Sequence, residues 1–198
     1  SRIFKFCISS ENKFQFNKNK YQGSHQVQQY SNFLSDSLEI SLVPKKLVIH
    51  SSLKTNFKNS KLQLGINPGA SYGDAKRWYP EQFANVAAKL SDKYDILIFG
   101  GPNEKNIADD IENFLIEKDI CNYSNLVGKT SIEELISYIS NLDLFITGDS
   151  GPMHIAASFQ VPTITIFGPT NDHETSQWMA QKSVIIKKNL DCQPCMKH

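Results

Sequence analysis

Apolar residues follow two different patterns along this chain, and the change comes near residue 61. Residues 9–60 are rich in Asn, Ser, Lys and Gln, and only residues 25–34 carry an amphipathic repeat. There Val27, Tyr30, Phe33 and Leu34 are spaced for one helix face, which predicts a short helix between a polar loop and a linker. Residues 3–8 read as a strand. Pro44 and the mostly polar residues 51–60 separate this part from the next.

Beyond residue 61, short apolar runs alternate with helical repeats. Residues 62–67, 96–99, 142–147 and 163–167 predict strands. They are closed by Pro68-Gly69, Gly100-Gly101-Pro102, Gly148-Asp149-Ser150-Gly151 and Gly168-Pro169. Phe83, Val86, Ala87 and Leu90 repeat at helical spacing behind Pro80, a residue suited to the first helical position. Further helices are expected over residues 103–118, over 131–140, where Ser131 and Glu134 are spaced as a capping box, and over 152–159 behind Pro152. Strands alternating with helices predict right-handed βαβ units, hence an α/β fold with a Rossmann-like parallel sheet and helices on both faces. Such sheets bind ligands beyond the carboxyl ends of their strands, and all four Gly/Pro turns fall on that rim. Residues 68–78 and 148–154 are therefore expected to form a site for a phosphorylated, nucleotide-linked ligand.

Composition narrows the partner. With 198 residues, 40% of them hydrophobic, the chain is long enough to bury a core. Its 21 basic and 20 acidic residues leave a net charge of +1, so nothing electrostatic favours nucleic acid, and an anion has to be held locally. No apolar run approaches the ~18 residues of a membrane span, and no signal-peptide pattern opens the chain, so a cytoplasmic location is expected. Cys7, Cys121, Cys192 and Cys195 are too few and scattered for a disulfide framework, which makes reduced thiols the expectation. The Cys192–Cys195 spacing reads as half a zinc site, a redox pair or a coincidence, and two ligands do not complete a tetrahedral metal site. Because the chain opens without a Met directly on a strand-like run, it is expected to be part of a longer protein.

The rim residues carry the chemistry. The loop over residues 68–78 combines glycines, hydroxyls and adjacent cations ahead of a helix, so backbone amides can approach an anion and Lys76 can place an ammonium on a phosphate. The plainer reading is a solvated surface turn. At residues 148–154 the chain turns tightly from strand to helix, leaving amides and the positive end of a helix dipole at the rim. Asp149 would repel a phosphate, so it reads as a helix cap or as an acceptor for backbone and hydroxyl donors. His154, in the first turn, is either a phosphate donor or structural. Glu104 either accepts from a ribose diol or is a favourable charge at a helix start. Thr170 and the polar residues up to 175 extend the rim without an assigned chemistry, and Trp78 and Trp178 read as packing residues.

Taken in order, Asn67-Pro68-Gly69-Ala70, residues 73–78, residues 148–157 and Phe167-Gly168-Pro169-Thr170 resemble the ADP-heptose:lipopolysaccharide heptosyltransferases of glycosyltransferase family 9. The resemblance covers about residues 61–195. It implies the C-terminal half of a two-domain GT-B glycosyltransferase: residues 61–198 as the nucleotide-sugar-binding domain, truncated at its C-terminus, and residues 1–60 as the end of the N-terminal domain and the interdomain linker. On that likeness the phosphate-binding lysine falls on Lys76 and the donor-binding acid on Glu104. The Asp-x-Gly-x-x-His block falls on Asp149, Gly151 and His154, with Ser71 and Ser150 as phosphate or sugar contacts by position. It further implies an ADP-L-glycero-β-D-manno-heptose donor and a lipopolysaccharide (lipooligosaccharide) inner-core acceptor at the inner membrane face. Inversion at the anomeric centre is implied without metal or cofactor, with a carboxylate base from the N-terminal half and so no catalytic residue in this chain. The stretch alone is then expected to bind ADP weakly and transfer nothing. Two other functions would use the same rim: a stand-alone nucleotide-binding module, and a GT-B-fold sugar-nucleotide epimerase.

Overall fold

The computed structural model describes residues 9–51, 61–70 and 74–196, so the strand expected over residues 3–8 lies outside the described residues. The chain divides into two units, Ser1–Lys45 and Lys46–His198. In the first, α1 (Lys18–Tyr21) begins at Asn17, whose side chain accepts from the Asn19 amide, and α2 (Gln26–Leu38) begins at His25, which accepts from the Val27 amide. The expected helix thus exists and runs four residues further. It stops where Glu39 turns left-handed, at φ 53°, and its amide closes on the Ser35 carbonyl. Phe16 packs against Tyr21, Tyr30 and Phe33 with ring centroids 5.7, 5.0 and 5.5 Å apart. Lys20 and Tyr21 both reach Asp36, at 2.6 and 2.9 Å.

The second unit begins its regular structure with β1 (Leu62–Asn67), followed by α3 (Pro80–Leu90), β2 (Tyr94–Ile98), α4 (Lys105–Ile116), β3 (Tyr123–Asn125), α5 (Ile132–Ser140) and β4 (Leu144–Gly148). Then come α6 (Gly151–Ser158), β5 (Thr163–Phe167), α7 (Asp172–Thr175) and β6 (Ser183–Lys187). All six strands pair in parallel, in the order β3-β2-β1-β4-β5-β6. Alternation along the strands sends side chains to opposite faces. Leu64, Ile66, Ile96 and Ile98 pack with Phe83, Ala84 and Ala87 of α3 and with Ala108, Ile111 and Leu115 of α4. Leu97 and Phe145 point the other way, toward Ile139 of α5 and Ala156 of α6. Helices therefore cover both faces, as the alternating pattern predicts.

The helix starts obey local rules. Pro80 opens α3, and Ser131 and Glu134 close a reciprocal capping box on α5, with bonds of 2.8 and 3.2 Å. That bond from the Ser131 amide also holds the Glu134 carboxyl below its usual range. β3 carries no clear sequence signal, and β6 carries only the short β-branched run of residues 184–186. The first is three residues with polar Ser124 and Asn125, and the second is an edge strand whose Val184 and Ile186 remain exposed. No helix among the described residues is long and apolar enough to cross a membrane.

Candidate functional site

The chain winds outward from β1 through β2 to β3 and then returns to place β4 on the other side of β1. The crevice of a doubly wound sheet lies at this reversal, outside the carboxyl ends of the two central strands. The last rung of the β1–β4 ladder pairs Asn67 with Thr147. The loops that leave it contain most of the expected site residues.

Lys76 ends a short 3-10 turn, Asp74–Lys76, and its ammonium lies 3.0 Å from Oδ2 of Asp149 across the reversal. The two side chains are 17% and 8% exposed, so this pair is largely withdrawn from water. Asp149 does not cap α6. Ser150 occupies the N-cap position, and its own hydroxyl makes no capping bond either. The reason is electrostatic: a carboxylate this deeply placed needs a charged partner, and losing that partner costs more than the ~1 kcal/mol of a helix cap. The hydroxyl of Ser150 instead faces the sheet, 3.4 Å from Asn67 Nδ2 and 3.2 Å from Thr147 Oγ1. A methyl group added at Gly151 would meet nothing within 4 Å, so α6 begins against open space. His154 follows, half-buried in the first turn.

Two glycines of this rim, Gly69 and Gly168, make room for contacts between loops. A side chain at Gly69 would lie 2.0 Å from the Glu104 carboxyl carbon, and one at Gly168 would lie 2.8 Å from the Ala75 carbonyl oxygen. The loop before α3 is thereby laid onto the exit of β5, and the exit of β1 onto Glu104. Glu104 is buried and accepts the Gly101 amide at 2.7 Å, so one of its oxygens holds the turn after β2. Arg77 is spent on the loop as well, pairing with Asp74 and donating to the Ala70 carbonyl at 3.1 Å. Lys76 is thus the cation of this loop that faces Asp149. Ser71 lies outside the described residues.

At the end of the rim, Thr170 is buried with its hydroxyl unpartnered, and Asp172 pairs with Lys187 at 2.8 Å. The segment carrying Cys192 and Cys195 docks on the β5 exit: Gln193 donates to the Gly168 carbonyl at 2.6 Å and the Met196 amide to that of Pro169 at 2.9 Å. Both cysteines are free thiols. Among the described residues no group of three or more His, Cys, Asp or Glu side chains is placed to hold a metal. Trp78 packs on Phe83 with ring centroids 5.1 Å apart, in the packing role expected of it. Asn67 and Thr147 were not singled out by sequence chemistry. Their signal is a polar residue at or next to the last position of a central strand.

A strand order of 3-2-1-4-5-6 and a polar reversal point define a Rossmann-like α/β domain of the kind found in GT-B glycosyltransferases. The chain belongs to glycosyltransferase family 9 (heptosyltransferase), whose family model matches residues 8–198. It is 42% identical over 202 aligned residues to lipooligosaccharide heptosyltransferase 2 of Campylobacter jejuni, an alignment that takes in the whole of this chain and 63% of the relative. It is 28% identical over 133 residues to lipopolysaccharide heptosyltransferase 2 of Escherichia coli, covering 67% of this chain and 38% of that protein. The chain therefore spans less than two thirds of the length of these relatives. Among solved structures, a family 9 glycosyltransferase from Veillonella parvula superposes with a TM-score of 0.73 at 22% identity, over 88% of this chain and 52% of that one. E. coli heptosyltransferase WaaC with ADP superposes with a TM-score of 0.64 at 18% identity, over 89% and 53%. Both share the fold.

Proposed function

We propose that this chain supplies the donor-binding half of a heptosyltransferase, with residues 61–198 as its nucleotide-sugar-binding domain. The donor is ADP-L-glycero-β-D-manno-heptose and the acceptor the inner core of lipopolysaccharide or lipooligosaccharide, met in the cytoplasm at the inner face of the membrane. The observation that carries this reading is the Lys76 ammonium, held at the β1–β4 reversal beside the uncapped start of α6. A diphosphate there meets a cation and the positive end of a helix dipole together. Family membership and the relatives named as heptosyltransferases support the choice of donor and acceptor.

In the reaction an acceptor hydroxyl oxygen attacks the anomeric carbon of the heptose from the face opposite the diphosphate. The carbon–oxygen bond to the β-phosphate breaks, and ADP leaves with the electron pair. Charge grows on the leaving diphosphate, where Lys76 stabilises it without a metal; a well-placed donor of this kind contributes ~3 kcal/mol. Asp149 keeps that ammonium in place before the donor arrives. Ser150, Gly151 and His154 line the diphosphate and sugar, Ser71 is assigned to them by the family resemblance alone, and Glu104 takes the ribose side. We assign the base that takes the hydroxyl proton to none of these residues.

Calorimetry with ADP tests the reading. The chain is expected to bind ADP weakly, and Lys76→Ala to weaken that binding about tenfold or more, as befits a charged hydrogen bond to phosphate. Equal affinity in the two proteins would overturn it.

A further inference from the structure

We infer that Asn67 is a positioning residue of the donor site: through Ser150 it sets the turn that presents Asp149 and, with it, Lys76. This rests on the donor-site reading above. Asn67 stands at the last position of β1 and is 4% exposed, so its amide is read by the protein and not by solvent. Nδ2 donates to the Gly69 carbonyl at 3.3 Å and to the Ser150 hydroxyl at 3.4 Å. One side chain thus ties together the two loops that leave the reversal point.

The partners of Ser150 explain why this tie has a consequence. A serine at an N-cap ordinarily turns its hydroxyl onto the amides of the first helical turn. Here Asn67 draws it the other way, into a polar knot with Thr147 Oγ1 at 3.2 Å and the Gly148 carbonyl at 3.4 Å. Thr147 is fully buried, and it is the residue that pairs with Asn67 in the ladder. The knot is therefore anchored in both central strands. Asp149 lies between Gly148 and Ser150, two members of that knot, so the placement of its carboxylate and the 3.0 Å pair with Lys76 follow from it. Removing the Asn67 amide leaves Ser150 free to cap α6, blocking the helix start and loosening Asp149.

A double-mutant cycle read by calorimetry with ADP tests this on the full 198-residue chain. Asn67→Ala is expected to weaken ADP binding about fivefold, the scale of one intramolecular hydrogen bond. In a Ser150→Ala background the same change is expected to weaken it no further, because the two residues act as one unit. Undiminished affinity in Asn67→Ala, or an equal loss in both backgrounds, overturns the inference. If Asn67→Ala does not fold, Asn67→Leu keeps about the same size, removes the amide donor without adding a charge and is read in the same way. Amide NMR spectra without ligand supply a measurement that does not depend on ADP. Asn67→Leu is expected to shift the signals of Asp149, Ser150 and Gly151, and unmoved signals overturn the inference even where ADP binding is absent. Failure of the donor-site reading has a different signature, namely ADP affinity indifferent to Lys76→Ala while those amide signals still move.

Discussion

Residues 9–45 and the sheet-bearing part from residue 62 both contain helices with an apolar face, yet among the described residues only the second part buries one. Among the described residues, every fully buried large apolar side chain belongs to the sheet, its flanking helices or the loops between them. Gln29 is the buried residue of α2, while Tyr30, Leu34 and Leu38, spaced four apart along it, are 50, 43 and 52% exposed. The first unit is instead organised by an aromatic cluster around Phe16 and by the charged contacts of Asp36. Amphipathic spacing marks a face that suits burial; whether it is buried depends on what packs against it. A sheet offers that surface to α3, α4, α5 and α6.

The difference can be broken by truncation. Phe83→Ala, at 1% exposure on the sheet-facing side of α3, is expected to cost about 3–5 kcal/mol, whereas Phe16→Ala in the aromatic cluster should cost about 1 kcal/mol. Urea denaturation followed by circular dichroism measures both, and similar costs would mean that the two units are packed alike. Crowding the rim should come next in size. Gly69→Ala drives a methyl into the Glu104 carboxylate and is expected to cost about 1–3 kcal/mol, with a loss of ADP affinity as Glu104 is displaced.

The smallest effect expected is the pH response of the first unit. Hydrogen bonds from Lys20 and Tyr21 hold the Asp36 carboxyl below its ordinary 3.8, and Asp36 in turn raises Lys20 from 10.5 to about 12. A depressed carboxyl pKa contributes stability that is present above pH 3.8 and lost as pH falls through the lower folded value. A raised lysine pKa contributes stability present below pH 10.5 and lost as pH rises through about 12. NMR titration of the Lys20 ε-methylene signals, which sense the Asp36 carboxyl beside them, should show both losses. Asp36→Asn should abolish the acid step, and its survival would assign that step to another carboxyl.

Much of the fold was legible because local patterns and tertiary needs agree. Pro80, the box formed by Ser131 and Glu134, and the apolar run of residues 62–67 each state an element that the packing then uses. β3 and β6 were not legible because edge strands take their stability from a neighbour's backbone. Three residues with two polar side chains, or a strand with exposed Val184 and Ile186, show no period from which to read them. At the site, Lys76, Glu104, Asp149 and His154 were marked by residue type and place, and Ser150 and Gly151 by the family resemblance, but their partners were not.

From sequence alone, then, come the alternation of strands and helices, the rim on which the Gly/Pro turns gather, and the residue types available there. These are local properties, encoded in periodicity and turn chemistry within a few residues. Only the tertiary structure decided that Asp149 faces Lys76 and leaves α6 uncapped, that Gly69 makes room for Glu104, and that Asn67 reaches Ser150. Lys76 and Asp149 are 73 residues apart, and Asn67 and Ser150 are 83. Such contacts depend on which strands become neighbours, and on the cost of leaving a buried charge or amide without a partner.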